Sequence, residues 1–304
     1  MGKEINSQES DASASRLLYD KDSEFFPANS LDLVSVMKRL SSLILVLQMA
    51  TFASAQESLI VAHRGASKDA PENTIPAFAL AWRQNADAIE GDFFLTKDGE
   101  IVCTHDKSTK RFNKKDLVIR DNLLVDLKQL DVGAWHSEKF AGTTMPTIAE
   151  VFGTIPQGKV IYVEVKCGPE IVPKLLSEIE KSGLQDKQIV VISFNRFVIK
   201  KLKELAPQFT ANWLSSFKKE KNGTLQPTFN QALATLKSIN ADGFSSSKDG
   251  ITKKFIHQVQ EAGYQYHVWT VDDPKDAKRL VDWGAESVTT NVPAVIRDGL
   301  APSR

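Results

Sequence analysis

From Leu59 onward the chain alternates between two kinds of segment, and that alternation narrows the choice of fold more than any other feature. Eight short runs rich in β-branched and aromatic residues read as strands: LIVAH, AIEGDFFLT, KVIYVEVK, QIVVISF, FTANWL, ADGFSS, YQYHVWTV and SVTTN. Between them lie amphipathic stretches with helical spacing, such as NTIPAFALAWRQ, PEIVPKLLSEIEKSG, RFVIKKLKELAP, FNQALATLKSI, KKFIHQVQEAG and DPKDAKRLVDWG. Several end in Gly or Pro, the expected helix stop. Strand and helix in strict turn imply parallel strands, because each helix carries the chain back to the same edge. Eight such units predict a closed α/β structure, a (β/α)8 TIM barrel. An open doubly wound sheet is the competing arrangement. It calls for a G-x-G-x-x-G turn after the first strand, and the residues after Ala62 do not contain one.

One stretch departs from the alternation. About fifty residues between the second and third barrel strands do not form a single helix. Lys97-Asp98-Gly99 is a hairpin-turn signal that brings IVCTHD back antiparallel along the second strand. DLKQLDVG and TIAEVF then read as short helices. The segment at about 106–150 is therefore a small insertion after the second strand, on the C-terminal rim where binding loops of a barrel belong. Its basic residues Lys107, Lys110, Arg111, Lys114 and Lys115 read as a solvated loop.

The N-terminal part is different in kind. Residues 1–36 are mostly polar without a sustained period, and read as a disordered or mis-assigned extension. Met37 is followed by Lys38-Arg39, an apolar run around Leu43–Phe52, and Ala53-Ser54-Ala55. Those three elements in that order make residues 37–55 a secretory signal, too short in its apolar run to be a good membrane span. The expected mature chain is a barrel domain over 56–304, exported to the periplasm or beyond, with no stable membrane insertion of its own. Lys+Arg and Asp+Glu both number 38, so no net field draws in nucleic acid. The two cysteines, Cys103 and Cys167, exclude a disulfide scaffold or zinc cluster and read as unpaired, partly buried thiols. Oligomeric state leaves no trace in the sequence.

In a parallel barrel, catalytic groups stand at the C-terminal ends of strands. His63 and Arg64 end the first strand. Glu90 and Asp92 lie two apart in the second, so they share a face, as do Glu164 and Lys166 at the end of the third. His105 and Asp106 follow the hairpin return, Trp269 lies in the seventh strand and Asn291 follows the eighth. Three carboxylates at one barrel mouth repel unless a positive charge sits among them, and an all-oxygen set suits a hard cation, Ca²⁺ or Mg²⁺. Two histidines near such a cation can divide the work of taking and giving a proton. Arg64 and Lys166 add fixed positive charge of the kind that grips phosphate. Trp269 is either core or a plate for an alcohol or quaternary ammonium. Together these groups suit a phosphodiester, whose equatorial oxygens gain charge as an alkoxide leaves.

Read in order, HRG…PENT, EGDFFLTKDG…THD, VEVK, HVWTVD and TNVP resemble the glycerophosphodiester phosphodiesterase family, over Leu59 to about Arg297. The resemblance implies a (β/α)8 barrel with a small insertion and a divalent cation on Glu90, Asp92 and Glu164. It further implies acid–base work by His63 and His105, and phosphate held by Arg64 and Lys166. Asn73 of PENT matches the family pattern, as a residue that orients the loop or approaches the cation. Members usually carry Asp where this chain has Asn291, which argues against a charged role there. The implied reaction converts small-molecule glycerophosphodiesters, such as glycerophosphocholine or glycerophosphoethanolamine, to glycerol 3-phosphate and an alcohol. A phospholipase D-like or lysophospholipase D-like action on lipid phosphodiesters is the alternative. The sequence leaves open which histidine is the acid and whether water or a neighbouring glycerol hydroxyl attacks.

Overall fold

The computed structural model describes residues 58–112 and 114–301. The readings of residues 1–36 and 37–55 lie outside them. Among the described residues the strands are β1 (Leu59–Ala62), β2 (Ala88–Leu95), β3 (Ile101–Cys103), β4 (Val160–Val165), β5 (Ile189–Ser193), β6 (Thr210–Ser215), β7 (Lys218–Lys219), β8 (Leu225–Gln226), β9 (Gly243–Ser247), β10 (Gln265–Trp269) and β11 (Ser287–Thr290). Eight of them pair in parallel in the order β1-β2-β4-β5-β6-β9-β10-β11, and β11 returns to β1, so the sheet closes on itself. Helices α1 (Ile75–Arg83), α2 (Ile148–Phe152), α3 (Val172–Ser182), α4 (Arg196–Leu205), α5 (Phe229–Ile239), α6 (Lys253–Glu261), α7 (Pro274–Asp282) and α8 (Pro293–Leu300) follow the eight barrel strands in turn. The TIM barrel expected from the alternation is the fold observed.

Side chains divide by strand parity. One set points outward into a continuous layer under the helices, including Ile60, Ile89, Phe93, Val163, Val191 and Phe244. The other set fills the barrel interior, where Val61, Ala88, Tyr162, Ile192 and Leu214 form a smaller cluster. The helices start where local chemistry tells them to. Thr74, Thr147, Asn195, Thr228, Thr252 and Asp273 each cap a helix by accepting a backbone N–H at its N-terminus.

The hairpin forms as expected: β3 runs antiparallel to β2, with Leu95 opposite Ile101 and Gly99 at φ 81°. The insertion beyond it has its own small core of Val102, Ile119, Leu127, Leu130, Val132 and Met145. TIAEVF is helical, as α2. DLKQLDVG corrects the sequence reading, since only one helical turn, Leu124–Leu127, forms there. Asp131 explains the difference. Its carboxylate accepts backbone N–H groups of Gly133, Ala134 and Gly142 at 2.8, 2.9 and 2.8 Å, which offers the chain a loop in place of a helix. A second hairpin, β7–β8, interrupts the unit after β6 and was not anticipated, although Asn222-Gly223 at its tip is a strong turn dipeptide. Among the described residues no helix is long and apolar enough to cross a membrane. Cys103 and Cys167 are both free, the first buried and the second half-buried. Burial pushes the Cys103 thiol well up and carries Cys167 to about 11.

Candidate active site

β1 ends where the site begins. Arg64 adopts φ 55° and Gly65 φ 82°, so the chain turns sharply off the strand. A side chain at Gly65 is excluded twice over, since a Cβ there meets the Ala77 backbone at 2.6 Å. The turn aims the Arg64 N–H at Glu90 Oε2, 2.8 Å away. A left-handed conformation at a non-glycine residue costs on the order of 1 kcal/mol, and it is held here by that bond and by Asn73 N–H donating to Arg64 O at 3.0 Å.

The three carboxylates meet because of strand register. Glu90 and Asp92 share the inward face of β2, and Asp92 lies opposite Glu164 where β2 and β4 pair. One oxygen from each lies within 4.8 Å of the others, and all three residues are buried. Arg64 Nε is 3.2 Å from Asp92 Oδ2, while Lys166 Nζ is 2.7 Å from Glu164 Oε1 and 3.3 Å from Asp92 Oδ1. Two cations thus face three acids. Burial, then Asp92 and Glu164, push the Glu90 carboxyl well up, and burial with Asp92 raises Glu164 to about 7. Burial pushes Asp92 the same way, but Lys166, Arg64 and His105 outweigh it and hold Asp92 low. Glu90 Oε1 is buried with no hydrogen-bond partner. An orphaned carboxylate oxygen inside an all-oxygen cluster short of positive charge fits a hard divalent cation.

The two histidines differ in their surroundings. His63 Nδ1 bonds Asn291 Oδ1 at 2.8 Å, and its Nε2 lies 4.0 Å from Glu90 Oε2. Asn291 is itself fixed: its Nδ2 donates to Asp272 Oδ2 at 2.7 Å, and Ser67 Oγ donates to its Oδ1 at 2.9 Å. Burial and then Arg64 lower the His63 pKa. His105 Nδ1 instead meets the Asp106 carboxylate, at 2.8 Å.

His63, Arg64, Glu90, His105, Glu164 and Lys166 line a cavity of about 170 Å³, together with Trp269 and Phe194, which pack edge-to-face at 5.5 Å. Asp92 and Asn73 are not in this lining; Asp92 stands behind Arg64 and Lys166, with Asn73 against it. Asn73, 3% exposed, donates to Asp92 Oδ2 at 2.8 Å and accepts the Asp92 N–H at 3.1 Å, so its amide orients a carboxylate. Sequence reasoning passed over Asp272, Glu72 and Arg111 as site residues, and argued only against a charged role for Asn291. Glu72 sat in view inside PENT. Nothing local marks Arg111 among the other basic residues of its loop, and nothing local links Asp272 to His63.

A closed parallel barrel with acids, bases and imidazoles gathered at its strand ends defines the class as a (β/α)8-barrel enzyme. Residues 63–295 match the model of the glycerophosphoryl diester phosphodiesterase family. A glycerophosphodiester phosphodiesterase of Caldanaerobacter subterraneus subsp. tengcongensis is 31% identical over 245 residues, 79% of this chain and 96% of that one. One from Bacillus subtilis is 30% identical over 257 residues, covering 79% and 85%. An Oleispira antarctica phosphodiesterase, solved in complex with the product sn-glycerol-3-phosphate, superposes with a TM-score of 0.72 at 27% identity, over 80% of this chain and 96% of that one. The chain belongs to the glycerophosphoryl diester phosphodiesterase family and is a phosphoric diester hydrolase.

Proposed function

We propose that the enzyme hydrolyses small glycerophosphodiesters, glycerophosphocholine and glycerophosphoethanolamine among them, to glycerol 3-phosphate and the free alcohol, with His63 as base and His105 as acid. The observation that carries this reading is the contrast behind the two rings. His63 is backed by a neutral amide whose oxygen accepts from Nδ1, which leaves the Nε2 lone pair free to take a proton. His105 is backed by a carboxylate, which balances the charge of an imidazolium that has a proton to give. In the reaction His63 Nε2 takes the proton of the attacking oxygen as that oxygen bonds to phosphorus. The phosphorus–oxygen bond to the alcohol breaks, and His105 delivers its proton to the departing oxygen. Arg64 and Lys166 hold the phosphate oxygens, and Trp269 with Phe194 faces the alcohol. Glu90, Asp92 and Glu164 would hold Ca²⁺ or Mg²⁺, which supplies positive charge to the phosphoryl oxygens. The small cavity, about 170 Å³, supports a deacylated substrate over a lipid.

His63→Ala and His105→Ala are each expected to lower kcat by about 10²–10⁴-fold, the scale of general acid–base catalysis. Turnover near the parent's from either variant sinks the two-histidine mechanism, and full activity in excess chelator removes the cation. Product analysis in ¹⁸O-labelled water separates the routes of attack. A transient cyclic glycerophosphate identifies the glycerol hydroxyl as nucleophile, and label in the first product identifies water. We also propose that the enzyme is exported, on the strength of the signal pattern at 37–55. Sequencing the N-terminus of the protein recovered from its host should then find a start near Gln56.

A further inference from the structure

Arg111 lies in the inserted segment and outside the cavity lining, yet it touches both halves of the machinery. Its Nε donates to Asp106 Oδ2 at 2.8 Å, and the other oxygen of that carboxylate is the partner of His105 Nδ1. Its Nη1 donates to Glu72 Oε2 at 3.0 Å and its Nη2 to Glu72 Oε1. Glu72 Oε1 also accepts from Arg64 Nη1 at 3.0 Å. One guanidinium therefore closes an unbroken chain from His105 through Asp106, Arg111 and Glu72 to Arg64. The Arg111 guanidinium lies 5.8 Å from the centroid of the Trp135 ring, so a second loop of the insertion supports it.

We propose that Arg111 is a positioning residue for the hydrolysis, one that sets His105 and Arg64 relative to each other across the junction between insertion and barrel. This rests on the roles given above to His105 and Arg64. Each carboxylate has one oxygen committed to a residue of the site, and Arg111 takes up the remaining oxygen of both. Without it Asp106 rotates freely and no longer fixes the His105 ring, and Glu72 bears on Arg64 alone. Only arginine can do this, because its planar fork reaches two carboxylates at once, whereas a lysine ammonium is a single point. The alternative, a surface ion pair that merely adds stability, leaves turnover untouched.

The experiment is steady-state hydrolysis of glycerophosphocholine with added divalent cation by the parent, Arg111→Ala, Arg111→Lys, His105→Ala and Arg120→Ala. Arg120→Ala is the control, an 84% exposed cation of the same insertion. For Arg111→Ala, kcat should fall about 10–100-fold while KM moves less than about threefold, because a misplaced donor costs most in the transition state. Guanidinium ion in solution should restore part of the loss, which it cannot do for a generally loosened protein. Arg111→Lys should stay folded and impaired, and Arg120→Ala should match the parent. A kcat within about twofold of the parent's in Arg111→Lys overturns the proposal, as does a loss in Arg111→Ala that guanidinium leaves unchanged. If His105→Ala itself turns over normally, the underlying mechanism fails instead, and the two failures are told apart.

Discussion

What stands behind each ring proposed for acid–base work matters as much as the ring. His63 and His105 are the same residue type at the same barrel mouth, and the sequence offers no reason to assign them different roles. Their partners do: Asn291 for one and Asp106 for the other. Asn291 argued against a charged role when read along the chain. On the proposed mechanism its neutrality is the useful property, since an amide oxygen can only accept from His63 Nδ1 while its own N–H is spent on Asp272. Asn291→Leu removes that acceptor at similar volume and should lower kcat by about 10–100-fold, the usual scale for losing the hydrogen bond that orients a functional imidazole. Asn291→Asp should retain more activity than Asn291→Leu, because it still accepts. A leucine variant with parental turnover would show that His63 needs no fixed tautomer.

Strand ends and loops were legible to different degrees, for a physical reason. Strand parity is local, so the shared faces of Glu90 with Asp92 and of Glu164 with Lys166 follow from spacing alone. The hairpin at Lys97-Asp98-Gly99 is equally local. The insertion is not, because its fold depends on where Asp131 finds backbone donors and on which apolar residues meet. Leu127 is fully buried in the insertion's own core, beside Met145 and Val102. Leu127→Ala should cost about 2–5 kcal/mol. The loss should appear as faster hydrogen exchange across the insertion, with the barrel strands still protected, and kcat should fall because His105 and Arg111 ride on that segment. Uniform loss of protection over the whole barrel would show that the insertion does not unfold as a unit.

Barrel closure buries polar groups that an open sheet would leave wet. His267 on β10 points into the interior, 5% exposed, with Nδ1 2.8 Å from Ser287 Oγ. Burial lowers its pKa from 6.5 to about 4. A depressed pKa in the folded state means the unfolded chain binds the proton first. The contribution of His267 is therefore complete above pH 6.5 and is lost as pH falls from 6.5 towards 4, by up to about 3 kcal/mol. Urea unfolding at a series of pH values should show this acid-side loss in the parent and a shallower one in His267→Gln. Identical slopes would show that the histidine is not held neutral.

The sequence by itself determined the period of each segment, the hairpin turn, the faces that the paired residues share and the family resemblance. All of these rest on backbone geometry and residue type over a few neighbours. The tertiary structure decided which strands lie side by side and in what register. It set Asp92 against Glu164, put Asn291 behind His63, and drew Arg111 across to Glu72, 39 residues away in the chain. Register and closure come from hydrogen bonds and packing between distant segments, and such pairings leave no mark on either segment alone.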